Sequence, residues 1–82
     1  MSGKNGQLLT AKDITRKYKL GYPTINYYTD LGLLPIVKKE GNKRLYNGKQ
    51  VRYRLERISR MVNEGYPLRL IRKKIMSEKG GV

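Results

Sequence analysis

Residues 20–35, LGYPTINYYTDLGLLP, and residues 36–46, IVKKEGNKRLY, decide the fold of this chain. In the first piece Ile25, Tyr28 and Leu31 recur at steps of three, which the helix period turns into one apolar stripe, while Pro23, Asn26, Tyr27 and Asp30 fall on the opposite side. Pro23 is tolerated only within the first turn of a helix, so the helix is expected from Tyr22 to about Leu31, with Gly32 as its stop. In the second piece Ile36, Val37, Lys38 and Lys39 form one strand pattern and Arg44, Leu45 and Tyr46 its partner. Glu40, Gly41 and Asn42 supply the turn between them, because Gly and Asn accept positive φ at little cost. An amphipathic helix followed by a basic two-stranded ribbon, in a chain of formal net charge +13, points to duplex DNA more sharply than charge alone does.

Each face carries its own expectation. Tyr27 is exposed where Tyr28 is core, with its hydroxyl satisfied. Thr24 lies at the margin of the stripe, where its hydroxyl either reaches DNA or caps the helix. An isolated hairpin is marginal in water, so the ribbon must lean on the helices, and Val37 and Leu45 are the residues expected to do this. Its tip carries Lys38, Lys39, Lys43 and Arg44. These side chains either meet DNA or form a charged edge that resists strand-to-strand aggregation.

Outward from this centre, punctuation and periodicity set the remaining elements. Thr10 followed by Asp13 has capping-box spacing, and Leu9 with Ile14 stand where a hydrophobic staple belongs. A first helix over about Ala11 to Tyr18 follows, burying Ala11, Ile14 and Tyr18 and leaving Lys12, Arg16, Lys17 and Lys19 to solvent or phosphate. Gly21 resets the chain. A third helix from Lys49 shows Val51, Leu55, Ile58 and Val62 at steps of four, three and four, and Gly65 ends it. Pro67 opens a fourth, with Leu68, Ile71 and Ile75 as its stripe against Arg69, Arg72, Lys73 and Lys74. Residues 1–7 read as a disordered lead, 8–76 as one domain and 77–82 as a frayed tail.

Composition narrows the function classes. A chain of 82 residues buries only a small core, and with neither Cys nor His and only six carboxylates it lacks the usual equipment for catalysis or metal binding. Neither an enzyme nor a cofactor or metal site is expected. The longest apolar run, Leu31 to Val37, is broken by Gly32 and Pro35, and the polar start MSGKNGQ lacks a secretory core, so the chain reads as cytoplasmic with no membrane partner. Nineteen Lys and Arg create a positive field that favours nucleic acid, an anionic membrane or an acidic protein antagonist, and the membrane is set aside because the apolar face over residues 67–79 lacks Trp and Phe and is needed to cover the core.

The order of helix, turn, helix with NYYTDLGLLP, basic ribbon with GNKRLY, long helix ending NEGYPL and short helix LRLIRKKI resembles the DNA-binding domain of the MerR family of bacterial transcription regulators over roughly residues 8 to 76. The resemblance implies a winged helix-turn-helix, mainly α, with about four helices and a two-stranded wing. In that family the second helix enters the major groove and the wing grips the flanking backbone, which implies Thr24, Asn26 and Tyr27 from the helix and Lys43 and Arg44 from the wing. Arg16, Lys17, Lys38, Tyr46 and Arg54 complete the expected contact set. The chain departs from the family in having Asn26 and Pro23 where Arg is usual and Lys43 where a wing aromatic is common. Asn pairs bidentately with adenine N6 and N7, so the departure bears on which sequence is preferred. Family regulators continue into a dimerising helix and an effector domain, so the expected partners are double-stranded DNA and a second copy on repeated sites or through a dimerisation segment. Two other readings stand beside this one: an excisionase-like architectural protein acting with a recombinase, and an RNA- or ribosome-binding basic domain whose tyrosines stack on unpaired bases.

Overall fold

In the computed structural model, which describes residues 7–80, the chain runs β1 (Leu8–Thr10), α1 (Ala11–Tyr18), α2 (Tyr22–Asp30), β2 (Lys38–Glu40), β3 (Lys43–Asn47), α3 (Gly48–Asn63) and α4 (Leu68–Gly80). The architecture is mainly helical with a small antiparallel sheet, compatible with a winged helix-turn-helix. Residues 1–6 of the expected lead, and Gly81 and Val82 of the expected tail, lie outside the described residues. Ser77 to Gly80 do not form a tail: α4 continues through them.

Local chemistry sets most boundaries. Thr10 Oγ1 accepts from the Asp13 amide at 3.1 Å and Asp13 Oδ2 accepts from the Thr10 amide at 3.0 Å, closing the capping box that starts α1. The staple residues Leu9 and Ile14 are both buried. Lys19 rather than Gly21 turns the chain out of α1, at φ 56°, while Gly21 is the extended N-cap of α2. α2 ends in a Schellman motif: the Gly32 amide donates to the Thr29 carbonyl and the Leu33 amide to that of Tyr28. Gly32 takes φ +84° there, a region that a side chain would strain. Asn47 caps α3 through its Oδ1, which accepts from the Gln50 amide.

The sheet differs from the expected hairpin in having a third strand, in the order β1-β3-β2. β1 pairs antiparallel with β3, Leu9 opposite Tyr46, and the Gly48 amide donates to the Gln7 carbonyl at 2.8 Å, so β3 is the central strand. In the wing β2 is offset from the expected strand, pairing Lys38 with Leu45 and Glu40 with Lys43 around a turn at Gly41 and Asn42. Val37 does not anchor the wing; it is 52% exposed. The anchor is Tyr46, which is fully buried, because β3 alternates and its Arg44 and Tyr46 face is the one turned toward α2.

Two apolar clusters meet along α2 and α3. Leu9, Ile14, Ile25, Leu34, Tyr46 and Val51 form the first, and Leu33, Ile58, Met61, Ile71 and Ile75 the second. Tyr28 and Leu55 pack against both. The buried residues of α3 are Val51, Arg54, Ile58 and Met61, not the expected Val51, Leu55, Ile58 and Val62, and Val62 is 48% exposed. The expected stripe counted apolar residues only, whereas Arg54 takes a place on the inward face and Leu55, partly buried, packs at its edge.

Candidate nucleic-acid interface

The exposed side of α2 carries Pro23, Asn26, Tyr27 and Asp30, as the helix period predicts, with Thr24 half-buried at the margin. No Thr24 hydroxyl bond closes the start of the helix, whose N-cap Gly21 has no side chain to offer. Ile25 is fully buried on the opposite side.

The wing approaches that exposed side through two contacts in register. Arg44 Nη1 donates to Asn26 Oδ1 at 3.5 Å, at the surface. One strand repeat further on, the Tyr46 hydroxyl lies 2.9 Å from Thr29 Oγ1. The single hydroxyl proton of Thr29 is directed at the Ile25 carbonyl, 2.7 Å away, so Tyr46 is the donor in that pair. Asn26 and Thr29 are three residues apart on one helix face, and Arg44 and Tyr46 are two apart on one strand face. The wing therefore docks on α2 by a part-buried rung and an exposed one.

The basic residues expected at the interface divide accordingly. Lys12, Tyr22 and Asn42 join Asn26, Lys43 and Arg44 around a concavity between α1, α2 and the wing, with Thr10 and Ala11 also lining it. Tyr22, outside the expected contact set, lies one turn before Asn26 on the same face of α2. Arg16, Lys17, Lys38 and Tyr27 are exposed but do not line this concavity. Lys38 Nζ is 3.4 Å from the Glu40 carboxylate, a surface pair worth little.

Two residues of the expected contact set are buried. Tyr46 has no exposed surface to offer a nucleic acid, because its ring fills the first cluster and its hydroxyl belongs to Thr29. Arg54 is 5% exposed, and its Nη1 donates to the Leu33 carbonyl at 3.0 Å and the Gly32 carbonyl at 3.5 Å. Burial pulls this guanidinium below its ordinary pKa, yet an arginine stays charged at neutral pH. Neither residue announced itself in the sequence, because an Arg or Tyr on a basic domain reads as surface until its neighbours are known.

Among the described residues no group of three or more His, Cys, Asp or Glu side chains is placed to hold a metal ion, and no helix is long and apolar enough to cross a membrane. No curated protein and no solved structure matches the chain. The sequence pattern of the MerR HTH family regulatory protein, however, matches residues 9–78, a span that runs from within β1 to within α4. The chain belongs to the MerR family of helix-turn-helix regulatory proteins.

Proposed function

We propose that the protein binds double-stranded DNA sequence-specifically as a transcription regulator module, with α2 in the major groove and the wing on the flanking backbone. The observation that carries this reading is the docking of Arg44 on Asn26, which sets the wing beside the exposed face of α2 and combines a base-reading amide with basic side chains around one concavity. Phosphate contacts position a protein and carry little sequence information, a role that suits Arg16, Lys17, Lys38, Lys43 and Arg44. Arg44 occupies one lone pair of Asn26 Oδ1. The other lone pair and both amide hydrogens remain for a base edge, the set that adenine N6 and N7 require. Tyr27 and Thr24 flank it. A single domain of this size covers on the order of 600 to 1,000 Å² of protein surface on DNA, so useful specificity calls for a second copy on a repeated site.

The test begins with selection of bound duplexes from a random pool, followed by titration of the preferred site, its single-base mutants, a random duplex and a single strand at matched salt. Arg44→Ala is expected to weaken binding to every duplex. Asn26→Ala is expected to lose roughly 1 to 3 kcal/mol of discrimination at one base pair while changing stability by less than about 0.5 kcal/mol, as exposed helix positions do. Preference for the single strand would replace this reading with base stacking on unpaired nucleic acid, and early melting of Asn26→Ala would mean that the face assigned to the groove is a packing face.

A further inference from the structure

The Schellman motif that ends α2 uses the carbonyls of Tyr28 and Thr29, and the carbonyls of Leu31, Gly32 and Leu33 belong to the cap and the turn that follow. Two arginines from two other helices meet them. Arg72 of α4 donates from Nε to the Leu31 carbonyl at 2.5 Å, and Arg54 of α3 donates from Nη1 to the carbonyls of Leu33 and Gly32. Both positive groups also sit at the negative end of the α2 dipole. A buried guanidinium is unfavourable unless its donors find partners, so Arg54 on the inward face of α3 is accounted for by the carbonyls it holds. A single nitrogen, Nη1, reaches both adjacent carbonyls, the shorter bond going to Leu33.

We propose that Arg54 and Arg72 are positioning residues for DNA reading: together they fix the tilt of α2 against α3 and α4, and so the aim of Asn26 and Tyr27, without touching DNA themselves. The inference rests on the assignment of α2 to the groove.

Arg72 is exposed, so Arg72→Met removes the bond with little risk to folding and carries the test. The expected result is a fall of at least about 5-fold in the preference for the selected duplex over a random one, the scale on which a misaimed base contact is lost. The salt slope of binding stays at its wild-type value, because no phosphate contact is removed. In the DNA-free variant, residual dipolar couplings show α2 reoriented relative to α3, and Arg54→Lys shifts both readouts in the same direction. A slope shallower by about 0.9 would mean that Arg72 holds a phosphate directly, which overturns the proposal. Unchanged orientation, or changed orientation with unchanged preference, overturns it as well. A wild-type protein with no duplex preference would refute the groove reading instead, and the orientation of α2 in the free variant would still decide whether the two arginines set it.

Discussion

Tyr46 shows how one side chain changes role once its neighbours are known. Its place two residues after Arg44 in a basic wing gives it the look of a groove contact, yet the ring is enclosed and the hydroxyl donates to Thr29. Tyr46→Phe removes only that hydroxyl, and the net worth of such a bond is about 1 kcal/mol. The expected outcome is a melting temperature lower by roughly 4 to 8 °C, the usual consequence for a domain of this size, with duplex affinity unchanged well below the melt. A loss of affinity at unchanged melting temperature would return Tyr46 to the interface. Asn26 is the opposite case: it is exposed, and its replacement is expected to spare stability, so the pair of variants tests folding apart from the proposed reading.

At the scale of elements, α1 is held at its start by reciprocal bonds between Thr10 and Asp13. The Thr10 amide on its carboxylate, helped by the Thr10 hydroxyl and the charges of Arg16 and Lys12 and only partly opposed by burial, holds Asp13 below the ordinary carboxylate range. A carboxyl with a depressed folded pKa stabilises the fold above its unfolded value of about 3.9, and that contribution disappears as pH falls through the folded value. Thermal melts between about pH 6 and pH 2 should therefore show a steeper loss for the wild type than for Asp13→Asn, which has no such proton to take up. Parallel curves would remove the cap from the acid response. Thr10→Ala at neutral pH is expected to lower stability by about 0.5 to 2 kcal/mol, read from denaturant unfolding.

For the whole molecule, the consequential quantity is charge. With a formal net charge of +13 on one small domain, the proposed DNA binding is expected to release counterions, so the log of the binding constant should fall linearly with the log of salt concentration, by about 0.9 for each phosphate engaged. Titrations from roughly 50 to 200 mM salt measure this, and a flat response would show that the basic residues are merely hydrated. Among the described residues Glu40, Glu56 and Glu78 are in ion pairs with Lys38, Arg52 and Arg57. The first two pairs are exposed and leave the field nearly intact. Arg57 and Glu78 link α3 to the last turns of α4, which is one reason the helix outruns the tail expected there.

The sequence by itself determined what depends on near neighbours: the extent of α1 and its capping box, the inward and outward faces of α2, and the glycine stops at Gly32 and Gly65. Each follows from residues three to five apart, whose interactions exist as soon as a helical turn forms. Only the tertiary structure decided the rest. Strand β1 is three residues long, too short to show a period, and exists because Leu9 lies opposite Tyr46 across the domain. Met61 rather than Val62 faces the core, on the side of α3 where Arg54 meets the Leu33 carbonyl 21 residues back along the chain. Arg72 reads as one more solvated cation until the fold brings it to the Leu31 carbonyl, 41 residues back along the chain. Pattern cannot reveal such roles, because a donor's value depends on the acceptor that packing places beside it.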